Sequence, residues 1–194
     1  DLVKIGLFGV NELDGVEKAK SLMLQDIDRL QKDGCAIIIG VFHWGVEGEY
    51  TVTETQVSLA HQAIDAGCDL VLGSHPHVLQ GIEYYKQRYI CYSLGNFCYG
   101  GNTNPMDYRT VIYQQTFPVK NGQLVPGEAM RTQTRVVPCR VSSSSSVNDY
   151  RPMPLVGDAA ASAIEALNGY SATLAGDGAE FDPALDESGY SQVK

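Results

Sequence analysis

Four histidines lie between positions 43 and 77 of the 194-residue chain. Three of them, His43, His75 and His77, come just after apolar runs that read as strands. In an open α/β sheet, ligands gather in the crevice beyond the carboxyl ends of the strands. Two neighbouring strands ending in imidazoles would therefore set three nitrogen donors on one rim. Imidazole combined with carboxylate suits zinc, iron, manganese or nickel. In His75-Pro76-His77 the i, i+2 spacing turns both rings to one side of an extended segment. Pro76 fixes φ and blocks a helix there.

The other polar residues near these histidines carry several readings. Glu47, four residues past His43 in a glycine-flanked loop, fits a ligand, an acid/base group or a solvated charge. Glu49 lies close by, while Asp69 reads as the start of a strand, away from the rim. His61 sits within a helical pattern and reads as a satisfied or exposed histidine. Trp44, the only tryptophan, fits a core position or a substrate platform equally well. Asn96 closes a polar-tipped turn, Ser93-Leu94-Gly95-Asn96-Phe97. No Gly-x-Ser-x-Gly elbow, P-loop or GxGxxG is present in the sequence.

The elements that must position these residues follow from hydrophobic periodicity. Residues 3–10, 36–42 and 70–72 are continuous apolar runs, as strands covered on both faces require. Between them, residues 16–32 repeat apolar positions at three- and four-residue steps and stop at Asp33-Gly34. Residues 53–66 open on a Thr53/Gln56 capping box and end at Gly67. Strand-helix-strand-helix-strand of this kind predicts a layered α/β fold. Antiparallel hairpins then follow: residues 81–92 turn at 86–88, and residues 111–119 face residues 128–141 across Lys120-Asn121-Gly122. Residues 142–150 read as a serine-rich flexible linker, residues 151–174 as a short helical segment, and residues 175–194 as an acidic, disordered tail.

Composition narrows the class. With 23 acidic against 14 basic residues the formal charge is −9, which argues against a general nucleic-acid binder. No apolar run reaches the ~18 residues of a membrane span. Five cysteines without a CxxC pair read as reduced core thiols. The chain opens directly on a strand-like run, and the expectation is a piece of a longer protein.

Three stretches resemble a known family. They are His43-Trp44-Gly45-Val46-Glu47; residues 65–80, which contain Gly73-Ser74-His75-Pro76-His77; and Tyr92-Ser93-Leu94-Gly95-Asn96-Phe97. Together they resemble the poly-γ-glutamate capsule-biosynthesis (CapA/PgsA-like) family over roughly residues 3–100. That family is similar in fold to the calcineurin-like metallophosphoesterases, α/β sandwiches with a two-metal centre at the sheet rim. The resemblance implies that residues 1–141 are the C-terminal half of such a domain. His43 matches the single histidine of the fourth metal motif, and His75 and His77 match the terminal Gly-x-His-x-His-like motif. Glu47 and Asn96 match recurrent positions. The early aspartate, acidic motif and Asn-Asn-His segment of the family's first half are absent from this sequence.

The resulting expectation is a capsule-biosynthesis protein with a metal-dependent, phosphoesterase-like site. His43, His75 and His77 are the metal ligands, His75, His77 and Glu47 the catalytic groups, and Trp44 and Asn96 face the substrate. A pair of manganese, iron or zinc ions is expected in the full-length protein, with weak or absent binding in this piece. The substrate is a phosphoester or an acyl-phosphate, and an unmetallated His75 or His77 could instead protonate the leaving group. The alternative is a non-catalytic envelope scaffold that holds the polymer synthesis or export complex. The charge of −9 opposes direct binding of an acidic polymer within a Debye length of about 8 Å. Expected partners are other capsule-synthesis proteins, or a second copy through dimerisation or strand exchange at an exposed sheet edge. The resemblance places the protein outside the cytoplasm, anchored through a preceding N-terminal segment.

Overall fold

The computed structural model describes residues 2–194. Its first half is a parallel sheet threaded by helices. β1 (Ile5–Asn11), β2 (Ile37–His43) and β3 (Leu70–Ser74) run side by side, joined by α1 (Val16–Lys32) and α2 (Glu54–Ala66). α1 buries Ala19, Met23, Ile27 and Leu30, the stripe its periodicity predicts. α2 begins with the expected capping box and ends on Gly67 at φ 112°, a backbone geometry that suits glycine. The sheet continues with a hairpin, β4 (Ile82–Tyr85) and β5 (Arg88–Cys91), in which β5 lies parallel to β3. Lys86 and Gln87 both take positive φ, as a two-residue hairpin turn requires.

A second, antiparallel sheet follows. β6 (Arg109–Gln114) pairs with β9 (Arg135–Arg140) through six residue pairs. The predicted hairpin across Asn121-Gly122 is real but small, with only β7 (Val119–Lys120) on β8 (Gln123–Leu124). Pro118 and Pro126 flank it and can donate nothing to a longer ladder. The strand expected from residue 128 starts only at Arg135. Its first five residues form α3 (Glu128–Thr132), which buries Met130. β10 (Met153–Pro154) also pairs with β9, and α4 (Gly157–Ala172) then crosses between the sheets.

Two predicted segments are corrected. Residues 142–150 are not a flexible linker. Ser143 N donates to Asp149 Oδ1 (2.9 Å), Asp149 N donates to Ser142 Oγ (3.1 Å), and Asn148 Nδ2 donates to the Asn102 carbonyl (3.0 Å). Serine, aspartate and asparagine side chains here satisfy the backbone of a tight turn that composition alone reads as loose. Nor are residues 175–194 a disordered tail. β11 (Asp177–Gly178) adds to β4, β12 (Ser191–Gln192) adds to β9, and Phe181 is fully buried. Asn168 on α4 brackets Phe181, donating to its carbonyl (2.8 Å) and accepting from its N–H (2.9 Å). The acidic residues of this stretch are exposed while Ala179 and Phe181 are buried.

The main sheet, in the order β1-β2-β3-β5-β4-β11, is covered on both faces over most of its width. α1 and α2 cover one face around Phe8, Ile38, Phe42, Trp44 and Val71. α4 and the second sheet cover the other around Leu70, Ile82, Tyr89, Val136, Ile164 and Phe181. The uncovered corner is at β1, an edge strand, where Ile5 and Leu7, with Val41 of β2, stand exposed. Cys68, Cys91 and Cys139 are buried and no cysteine is paired; burial pushes the Cys68 thiol up to about 12. No helix among the described residues is long and apolar enough to cross a membrane.

Candidate metal centre

The sheet register builds the rim. Asn11, His43 and Ser74 stand opposite one another at the carboxyl ends of β1, β2 and β3, and the chain leaves β3 directly into His75-Pro76-His77. The His43 and His75 ring centroids are 4.4 Å apart, and those of His75 and His77 6.1 Å. The loop after β2 folds back over this turn, with Gly48 N donating to the Pro76 carbonyl (2.8 Å). This brings up Glu47. One ligand atom each from Glu47, His75 and His77 lie within 4.8 Å of one another. His43 packs beside His75, outside that group.

Each ring is held for a reason visible in its contacts. Asn96 Nδ2 donates to the His77 carbonyl (3.2 Å), which leaves its Oδ1 to accept from His77 Nδ1–H at 2.6 Å. That bond fixes the tautomer and turns the Nε2 lone pair toward Glu47 Oε1, 3.9 Å away. Burial, with His43 and His77 adding to it against the opposing pull of Glu47, lowers the His75 pKa, so its ring is neutral at neutral pH. Beside the rim lies a cleft of about 340 Å³ lined by Glu47, His77, Asn96, Tyr99 and Met106. A larger cleft, near Asp69 and Arg88, opens at the opposite end of the sheet.

His75 and His77 both take positive φ, 98° and 60°. Histidine tolerates the left-handed region better than most residues. His75, however, precedes a proline, which favours extended backbone. His75 thus holds a strained backbone at the rim. His75→Gly is therefore expected to be more stable than His75→Ala by about 1–2 kcal/mol in urea unfolding, because only glycine relaxes at this φ. Equal midpoints would remove the strain from the account.

Other predicted residues fall elsewhere. Trp44 is a correction: it is fully buried, its indole N–H donates to the Tyr92 carbonyl (2.8 Å), and it packs on Phe42. It is core and presents no face to a substrate. Gly73 lets it in, since a Cβ there would run into the Trp44 nitrogen and the Tyr92 carbonyl. His61 stacks on Tyr85 (3.8 Å) and contacts buried Glu83 (3.0 Å), as a satisfied histidine does. Asp69 is bound by the Ile38 N–H and Arg88 at the start of β3. Two rim residues went unread in the sequence. Glu12 follows β1 as His43 ends β2, and its Oε2 accepts from Gly45 N (3.0 Å); Tyr99 lies against His77 at 4.8 Å. The strand-end rule that singled out His43 also applies to Glu12.

Fold and rim together define a layered α/β protein with an imidazole–carboxylate cluster at its strand ends. Residues 7–100 match the family model described as bacterial capsule synthesis protein PGA_cap. A capsule biosynthesis protein CapA of Bacillus anthracis is 40% identical over 84 residues, 43% of this chain and 20% of that protein. A PGA biosynthesis protein CapA of Bacillus subtilis (strain 168) is 42% identical over 78 residues, 40% of this chain and 20% of its own length. A probable polyglutamine synthesis accessory protein of Mycobacterium tuberculosis is 29% identical over 111 residues, 55% of this chain and 27% of its own. Over residues 7–100 these matches support the capsule-biosynthesis CapA-like family. The matched stretches span about a fifth to a quarter of those relatives' lengths.

Proposed function

We propose that this chain carries the metal-binding rim of a hydrolase that acts in capsule or poly-γ-glutamate synthesis at the cell envelope. The observation that carries the reading is the convergence of Glu47, His75 and His77 within 4.8 Å at the ends of parallel strands. Two imidazoles, one carboxylate and an open position are the donor set of a catalytic zinc-type site. Ligands of one tetrahedral ion sit roughly 3.4 Å apart, given bond lengths of about 2.0–2.2 Å. The exposed Glu47 side chain is the group that swings to close the difference. The donors fit one ion. The second ion of a manganese, iron or zinc pair would need ligands beyond this group, with His43 the nearest imidazole.

Held by Glu47, His75 and His77, a divalent ion would supply Lewis-acid polarisation and lower the pKa of a bound water, the chemistry that phosphoester or acyl-phosphate hydrolysis needs. The chain's own residues do the rest. Asn96 holds His77 in its ligating tautomer, Glu47 completes the donor set, and the cleft beside Tyr99 receives the substrate. The test is zinc or manganese uptake by the chain, read by elemental mass spectrometry, with hydrolysis of bis(p-nitrophenyl) phosphate as the activity arm. The expected outcome is about one weakly held equivalent, taken up from excess metal, that disappears in the His75→Ala/His77→Ala double variant. Uptake that the double variant retains would sink the proposal.

A second reading, an envelope scaffold for other capsule-synthesis proteins or a second copy, is favoured by one observation. Ile5, Leu7 and Val41 form an exposed apolar face beside an unpaired strand edge. In the intact protein, normal polymer production after the same double substitution would favour it over hydrolysis.

A further inference from the structure

Glu47 reaches the rim on an irregular loop between β2 and α2, and a loop of this kind needs tethers if its carboxylate is to stay at the histidines. Two sets of tethers are present. The inner one is a buried amide pair. Gln80 Nε2 donates to the carbonyls of Glu49 (2.8 Å) and Thr51 (3.3 Å), and Gln80 Oε1 accepts from Gln56 Nε2 (2.9 Å). Gln56 and Gln80 are both fully buried.

The outer tether comes from the far side of the chain. Tyr50 Oη donates to Asp107 Oδ2 (3.1 Å), and its ring stacks on Tyr170 of α4 (5.0 Å). Asp107 is buried and gripped by Arg109, through Nε (3.0 Å) and a terminal nitrogen (2.8 Å). Another bond from the same guanidinium nitrogen reaches Tyr170 Oη (3.1 Å). Burial pushes the Asp107 carboxyl up, but the Arg109 hydrogen bonds outweigh it and hold it below the usual range, so it is ionised at neutral pH. A buried carboxylate gripped twice by one guanidinium is a rigid anchor.

We infer that Tyr50 and Asp107 are positioning residues for Glu47, joining the rim to β6 and α4, elements that lie beyond the family-matching stretch. This rests on the metal reading of the rim above. In that arrangement the second sheet and α4 set how closely Glu47 approaches His75 and His77, and relatives that differ there would differ in metal affinity while keeping the same histidines.

The experiment compares the wild-type chain with Tyr50→Phe, which keeps the stacked ring and removes only the hydroxyl. Thr134→Val is the control, because it deletes one buried hydrogen bond to the Met130 carbonyl at a site not connected to the loop. Two readouts are taken: zinc affinity by calorimetry, and hydrogen exchange of residues 45–52 without metal. The expected result is zinc binding about 10-fold weaker in Tyr50→Phe and loop amides exchanging about 10-fold faster, with Thr134→Val unchanged in both. If wild type binds zinc and Tyr50→Phe alters neither readout, or only one, the inference is overturned and the metal reading stands. An equal effect in Thr134→Val overturns it too, as loss of general stability. If wild type takes up no zinc, the metal reading falls and the inference goes with it.

Discussion

His77→Ala is expected to weaken zinc binding at least about 100-fold, while Asn96→Leu, which touches no ion, weakens it about 10- to 100-fold. The grading follows from the contacts. His77 supplies a donor atom to the three-residue group, whereas Asn96 only fixes which ring nitrogen carries the proton. Without the Asn96 oxygen the imidazole can take either tautomer and rotate, so part of the population presents N–H where a lone pair is needed. Asn96→Asp should restore much of the loss, since a carboxylate oxygen accepts from Nδ1–H at least as well. Calorimetric titration with zinc at constant pH separates the three. Equal affinity for wild type and His77→Ala would refute the site itself. Equal affinity for wild type and Asn96→Leu would refute only the tautomer argument.

The second large effect is on stability. Phe181→Ala is expected to cost about 3–5 kcal/mol, the range for truncating a fully buried aromatic. For a chain of this size that lowers Tm by roughly 6–20 °C. Phe181 is fully buried among Ile82, Ile164 and Leu167, and both its backbone polar groups are bonded to the Asn168 side chain. Nothing flexible can collapse into the space, because α4 and the main sheet wall it in. A thermal midpoint within about 2 °C of wild type would mean a cost under about 1 kcal/mol, and the last twenty residues would not belong to the core.

Much of the parallel half was legible because its chemistry is local. The runs at residues 36–42 and 70–72 are apolar on both faces because helices cover one side and the second sheet much of the other. The Thr53/Gln56 capping box and Gly67 bound α2 with the same residues that signal it. The rim was legible for a related reason: strand ends in one sheet share an edge, so residues far apart in sequence meet once the strand order holds.

What stayed hidden depends on distance along the chain. Asp177 pairs with Tyr84, 93 positions earlier, and no local pattern in an acidic stretch announces it. Tyr50, the Asp107/Arg109 pair and Tyr170 come from three separate segments, and each alone is an ordinary surface type. Trp44 was readable in principle. Phe42, His43 and Trp44 alternate buried, exposed, buried, so strand periodicity puts the indole with Phe42 and the imidazole at the rim.

The order of the covering pieces has a consequence for biosynthesis. Of the main-sheet strands described here, all but the short β11 have left the ribosome once Cys91 has. The residues that shield its second face, among them Val136, Ile164, Leu167 and Phe181, arrive up to 90 positions later. At about 5–20 residues per second that delay lasts roughly 5–20 s. Throughout it Leu70, Ile82, Tyr89 and Cys91 lie bare on a sheet whose histidine edge is already assembled. Nascent chains paused near residue 150 are thus the form in which this protein most needs a holding chaperone, and the form most prone to stick to its own copies on a polysome.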